Sequence, residues 1–316
     1  MGKRVGAGYT RALYLKKSCG HLLKGPESIF RFIAGHRTEF TVQEMCRVLE
    51  VSRSGFYKWL NHYTSKRKQK NEELTIKMKE IYEEHKGRIG SPKMRVELNA
   101  LGVQAGKNRV ANQMKINGLR AITHRKFRVV TTDSNHNLPV AENILDREFT
   151  VDQPDKVLVN DITYIRSQAG WVYLTVFIDL FSRMVVGWAV STSIDTEMVL
   201  KAFHRAVFNR KLSPGTMIHS DRGSQYASDA FREALSQFKF IQSMSRKGNC
   251  WDNAVAESFF RIYKSELAYH CNFRDERDVF QKTFEYIECY YNRKRRHGTL
   301  GYLTPVEFEN QLKKAA

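Results

Sequence analysis

Cysteine is scarce in this chain of 316 residues, and badly spaced for structural work. The five (Cys19, Cys46, Cys250, Cys271 and Cys289) are odd in number and form no C-x-x-C pair. That argues against a zinc ribbon or a disulfide framework and points to a reducing compartment. No apolar run approaches a membrane span. The basic N-terminus has no clear apolar signal segment, so a cytoplasmic protein is expected. Acidic residues are also thin in the first part. Residues 1–130 hold 28 Lys and Arg against 10 Asp and Glu, whereas residues 131–316 hold 24 against 23. The formal net charge of +19 therefore sits almost wholly in the first part. Such a half attracts polyanions, of which nucleic acid is the commonest in a cell. The near-neutral half can carry carboxylates for chemistry.

Two stretches of the basic half read as helix-turn-helix. In TVQEMCRVLEVSRSGFYKWL, 41–60, Val42, Met45, Cys46 and Leu49 recur at three and four. Ser52 or Ser54 can cap a second helix with Phe56, Trp59 and Leu60 inward. Arg53 and Lys58 would then meet phosphates or base edges. After the basic run KRKQK, a helix is expected over about 72–85, with Leu74, Met78, Ile81 and Tyr82 inward. Ser91 is a natural N-cap for the helix SPKMRVELNA, with Pro92 at its first position. A helix over about 107–117 turns Lys107, Asn108, Arg109, Gln113 and Lys115 outward. Asn and Gln suit adenine edges, and Arg suits guanine. The expected organisation is a poorly ordered leader at 1–27, a helix-turn-helix at 28–65, a second helical DNA-binding domain at 66–130 and a linker at 131–150. A catalytic domain at 151–310 and a tail at 311–316 follow.

The second half reads βββαβαβα. KVLVNDITYI, WVYLTVFIDL and MVVGWAVS should form an antiparallel meander, with TMIHS and FIQSM added through helices. The fold class is α/β, a mixed sheet with helices on both faces. Asp161 lies inside the first strand, where an unpaired carboxylate is costly. Asp221, in HSDRGSQY, sits where the fourth strand ends, and Glu257 lies early in a long helix. If the fourth strand runs beside the first, the aspartates converge. Three mutually repelling carboxylates call for a divalent cation, Mg²⁺ by preference and Mn²⁺ as a substitute. At about 100° per residue, Glu257, Arg261 and Lys264 share one line of the long helix, opposite Val255, Phe259 and Ile262. His219 reads as a packed strand residue, Asp252 or Asn253 as a helix cap, and Asp179 as the rival carboxylate.

Asp161 in VNDITYI, Asp221 in HSDRGSQY and Glu257 in GNCWDNAVAESFFRIYKSEL, with 35 residues between the last two, resemble the D,D-35-E core of retroviral integrases. They are most similar to the second reading-frame product of IS3-type insertion-sequence transposases. Lys264, the tail YYNRKRRHGTLGYLTPVEF, and the motifs VSRSGFYKWL and GSPKMRVELNALGV agree, and the resemblance covers about residues 28–310. Leu158 and Asn160 depart from the Trp and the Thr or Ser usual before the first aspartate. The resemblance implies a ribonuclease H-like catalytic domain preceded by an all-α DNA-binding region. It also implies two Mg²⁺ held by Asp161, Asp221 and Glu257, a 3′-end freed by water, and strand transfer by that end without a covalent enzyme intermediate. Arg222, Gln225, Tyr226, Arg261 and Lys264 would contact DNA, with Gly223 letting the backbone approach. Implied partners are double-stranded DNA (terminal inverted repeats and target), further copies of the chain and the upstream reading-frame product. The rivals are a ribonuclease H-like nuclease, which would cut without joining, and a transposase-derived regulator, which would only bind.

Overall fold

The computed structural model describes residues 25–61, 66–122, 138–247 and 249–315. The expected leader up to residue 24 and the first part of the linker, 131–137, lie outside them. The chain forms two compact units that divide between Lys77 and Met78.

In the first unit, α1 (Pro26–Gly35), α2 (Val42–Val48) and α3 (Arg53–Leu60) surround Ile33, Phe40, Met45, Cys46 and Phe56. Thr41 and Glu44 form a reciprocal capping box at the start of α2. Ser52 caps α3 by accepting from the Gly55 N–H. The chain reverses between them at Glu50, whose φ of 52° is left-handed. Helix α1 has no counterpart in the sequence reading, and its Ile29, Phe30 and Ile33 supply the third wall of this core.

The division falls inside α4 (Lys66–Glu84). In the second unit, α5 (Ser91–Ala100) and α6 (Lys107–Ile116) bury Met94, Leu98, Val110 and Met114. Gly90 occupies the N-cap of α5, so Ser91 is its first residue and caps nothing. These helices pack within the same compact unit as the sheet. Arg296 donates to Glu97 at 2.7 Å, Lys294 to Glu84 at 2.6 Å, and Lys86 pairs with Glu285.

The sheet comprises β1 (Val157–Ser167), β2 (Gly170–Asp179), β3 (Val185–Ser191), β4 (Met217–Ser220) and β5 (Ile241–Met244), in the order β3-β2-β1-β4-β5. The first three are antiparallel; β4 and β5 run parallel to β1. This is the mixed sheet of the ribonuclease H-like fold. Strand residues alternate between two cores. One holds Val159, Leu174, Val176 and Ile178, with Phe259 and Tyr263 of α10 (Ala254–Glu266) and Val279 of α11 (Glu276–Phe284). The other holds Leu158 and Phe177 with Val199 and Phe203 of α7 (Thr196–Asn209) and Phe231 of α9 (Asp229–Gln237). The short α8 (Ser224–Ala227) lies between β4 and α9, and α12 (Pro305–Ala315) ends the described chain.

The tail motif works as cement. From a π-helical stretch, Glu285–Tyr291, the chain delivers Asn292, whose amide bonds both the N–H (3.0 Å) and the C=O (2.9 Å) of Val185 on β3. Arg295 clamps Glu266 in the last turn of α10 at 2.9 Å.

Gly187 in β3 is fixed by space. A Cβ there would stand 2.3 Å from the Ala202 carbonyl oxygen and 2.8 Å from the Ala206 Cβ of α7. Gly187→Ala is therefore expected to destabilise the protein by about 1–3 kcal/mol through overpacking, read as a lowered urea midpoint at unchanged slope.

Candidate active site

Strands β1 and β4 pair from Val157–Met217 to Val159–His219 and no further. Asp161 and Asp221 each stand two residues beyond that last pair, on strands running the same way. Here β4 ends at Ser220 while β1 runs on to Ser167, so a crevice opens at the carboxyl end of β4 beside the middle of β1, the kind of strand-end split at which open α/β sheets admit ligands. Both aspartates are half-buried, and Glu257 is exposed in the first turn of α10. The Asp161 carboxyl is held well above the usual carboxylate range. Burial is the main cause, followed by the Asp221 charge. The Ile162 N–H, donating to Oδ1 at 2.8 Å, opposes this; Glu257 adds to it and Lys264 eases it.

Asp161 thus feels the charge of both other carboxylates, while burial alone raises Glu257. Among the described residues, no three His, Cys, Asp or Glu side chains converge tightly enough to hold one ion as they stand. The chemistry of the set still suits a hard divalent cation. Every donor is a carboxylate oxygen, and the first two sit in a crevice where their repulsion is the dominant charge effect after burial. Glu257 is exposed on its helix. Gly223 lies close against the aspartate: a Cβ there would sit 3.1 Å from Asp221 Oδ1 and 3.0 Å from Gln225 Oε1.

The loop after β4 is braced. The Gly223 N–H donates to Asp221 Oδ1 at 3.0 Å, and Ser220 Oγ donates to the Asp221 carbonyl at 2.8 Å. Arg222 Nε donates to the Ser245 carbonyl at 2.7 Å, and Gln225 Nε2 to the Ile194 carbonyl at 3.3 Å. Tyr226 corrects the sequence reading. It is 1% exposed and stacks edge-on against Phe231, so its ring cannot stack on DNA. Its hydroxyl is held far above the ordinary phenol range by burial, Asp221 and Asp161, in that order. His219 is fully buried between the hydroxyls of Ser243 (2.9 Å) and Ser245 (3.1 Å), and burial pushes it down to about 4. Asp179, the rival, is fully buried and accepts from Ser182 N–H and Oγ and from the Asp155 N–H, so it locks a turn.

Asp252 also corrects the reading. It caps no helix; α10 begins after Asn253, with no side-chain cap. Its fully buried carboxylate accepts from Arg147 Nε (2.7 Å), Asn143 Nδ2 (3.0 Å) and the Arg246 N–H, Nε and Nη2 (2.9 Å each). The Arg246 hydrogen bonds lead in holding it well below the usual carboxylate range. Asp252 thereby ties segment 143–147 and the loop after β5 to the turn that launches the Glu257 helix. Asn253 completes this by donating to the Asn160 carbonyl at 2.8 Å, next to Asp161. A buried acid shared between Arg246, six residues away, and Arg147, 105 away, gave no local signal.

On α10 the buried stripe is Ala256, Phe259, Phe260 and Tyr263, so Val255 and Ile262 flank it instead of centring it. Arg261 is exposed. Lys264 is half-buried, with Nζ 4.3 Å from the centre of the Tyr164 ring. Its pKa is lowered by burial and partly restored by Asp161. In the helical regions Arg53, Lys58, Lys107 and Asn108 are exposed, and Arg109 and Gln113 half-buried.

Comparison with known proteins agrees with this layout. Residues 151–250 and 257–312 each match a family described as integrase core domain, and residues 68–127 match an HTH-like domain. The chain is similar to the transposase InsF for insertion sequence IS3A of Escherichia coli (strain K12). The two are 39% identical over 282 residues, which is 89% of this chain and 98% of the relative. It is also 39% identical, over 272 residues, to an insertion element IS600 uncharacterized 31 kDa protein of Shigella sonnei, across 86% of this chain and all of the relative. Among solved structures, the HTLV-2 integrase catalytic core domain in complex with magnesium is a loose likeness. It has 17% identity and a TM-score of 0.38, over 49% of this chain and 97% of that one.

Proposed function

This chain belongs to the IS3-family insertion-sequence transposases, and on that footing we propose that it frees 3′-ends at the element's termini and joins them to DNA with Asp161, Asp221 and Glu257. The observation that carries the assignment is the split between β1 and β4, which brings Asp161 and Asp221 to one crevice with Glu257 acting on Asp161. These three residues would hold two Mg²⁺, or Mn²⁺ in its place, which supply an activated oxygen nucleophile and stabilise the leaving 3′-oxygen. The chain's own residues do the positioning. Gly223 lets a sugar-phosphate backbone come close to Asp221, and the Arg222 and Gln225 braces keep that loop from collapsing into the crevice. Arg261 and Lys264 offer cations one and two turns along from Glu257 for the phosphates of the strand end.

In this proposal residues 28–65 and 66–130 grip the terminal repeats through Arg53, Lys58, Lys107, Asn108, Arg109 and Gln113, and 151–310 carries the chemistry. The working assembly is a homo-oligomer on DNA, with the upstream reading-frame product as a further partner. The test supplies the labelled terminal repeats that flank the gene, with Mg²⁺, and looks for joined product. Cutting without joining would favour a nuclease, and binding without cutting a regulator.

The basic half makes a second expectation. Phosphate contacts release counterions, so binding should fall steeply with salt. If six or more phosphates are neutralised, affinity drops by roughly 10³-fold between about 50 and 200 mM salt. A filter-binding titration reads the slope, and a flat profile would remove the basic half as the grip.

A further inference from the structure

Beyond the carboxylates, a cavity of about 540 Å³ opens between the free end of the β1–β2 hairpin and the stretch that follows α10. Its walls include Tyr164, Arg166, Trp171, Lys264, Tyr269 and Phe273, and among the described residues no acidic one lines it. The walls are firmly tied. Arg166 and Trp171 are cross-strand partners. The hairpin turn is pinned to the far wall by Gln168 N–H to the Phe273 carbonyl (2.9 Å) and Ala169 N–H to the Arg274 carbonyl (3.0 Å). The Tyr164 and Trp171 rings meet edge to face at 5.2 Å and 83°. Each carries a cation: Lys264 Nζ at 4.3 Å from the Tyr164 ring, and the Arg166 guanidinium at 5.0 Å from the Trp171 ring. Yet Trp171 remains 46% exposed.

These features fit one occupant. The size is that of a small-ligand site. Aromatic faces beside cations, without a carboxylate, match a planar base flanked by phosphate. The site lies near the carboxylates: Tyr164 is three residues along β1 from Asp161, about 10 Å, and Lys264, whose Nζ stands over the Tyr164 ring, also feels the Asp161 charge. We propose that this cavity takes a nucleobase unstacked from the DNA within a few nucleotides of the reacting phosphate, and so fixes the strand end against the carboxylates. Trp171 is its stacking platform, while Lys264 and Arg166 hold the adjoining phosphates. The inference rests on the transposase reading and adds to it a specific receptor for one base.

The test uses the full chain carrying Asp161→Asn, so that binding is followed without reaction. The probe is the element's own terminal-repeat duplex, with 2-aminopurine placed in turn at each of the last few positions. Binding should raise or shift the fluorescence at one position only, and Trp171→Ala should abolish that change while Trp171→Phe keeps it. In the chain with Asp161 intact, Trp171→Ala should lower joining about ten-fold or more, the effect of losing one base–aromatic stack. Permanganate reactivity of a thymine at the same position gives a second readout on unsubstituted Trp171. Terminus-specific binding with no unstacked position, or an unstacking signal indifferent to Trp171→Ala, would overturn the inference alone. No terminus-specific binding by any form would remove the transposase reading and the inference with it.

Discussion

Asp161→Asn, Asp221→Asn and Glu257→Gln are each expected to abolish Mg²⁺-dependent cleavage and joining while the protein still binds terminal-repeat DNA. An ion site that loses one carboxylate forfeits several kcal/mol of transition-state stabilisation, on the order of 10³-fold in rate. DNA affinity should stay level or rise slightly, because each change deletes a negative charge facing a polyanion. Unfolding is not the cause in this account. Burial and the neighbouring carboxylates already disfavour the charged form of Asp161, so a neutral amide there should leave thermal stability level or higher. The checks are a gel shift, a melting curve and a joining assay on the same preparations. Joining retained by any one variant would remove that residue from the site.

Asp252→Asn should act through the fold instead. The carboxylate is fully buried and meets five donors from Asn143, Arg147 and Arg246. Neutralising it leaves two guanidinium groups without their shared counter-charge. Both arginines are nearly half exposed (44% and 46%), so water compensates in part. A loss on the order of 3 kcal/mol is expected. Since this turn sets the start of the Glu257 helix, joining should fall as well, with DNA binding by the basic half intact. The pH dependence has a definite sign. The folded-state pKa is depressed, so the stabilisation is complete above the ordinary carboxylate value near pH 4 and fades as pH falls below it. Urea midpoints for wild type and variant should therefore converge toward acid pH. A constant gap would assign the loss to packing.

Much of this was legible in the sequence because the signals are local or periodic. The α7 stripe of Met198, Val199, Ala202, Phe203 and Ala206 is buried as its spacing indicates. Asp161 and Asp221 announce themselves as acids at or inside apolar strands. What could not be read is long-range. Asp252 looked like a cap because Arg147 and Asn143, which share it with nearby Arg246, come from more than 100 residues away. Tyr226 looked like a DNA contact because a tyrosine in a polar loop is usually exposed, yet the short α8 turns it into the core. The Glu257 helix was rotated slightly wrongly, since Phe259 and Phe260 compete for the inside and both win. The cavity at Trp171 is assembled from two stretches about a hundred residues apart, 164–171 and 264–273, neither distinctive alone.

The central claim is that Asp161, Asp221 and Glu257 share divalent metal. Anomalous diffraction from crystals of the full chain grown with Mn²⁺ and terminal-repeat DNA tests it most directly. The predicted result is manganese density in the crevice between β1 and β4, with oxygens of all three side chains coordinated to it and Glu257 turned inward from its helix. Manganese bound elsewhere, or in that crevice with Glu257 still facing solvent, would contradict it.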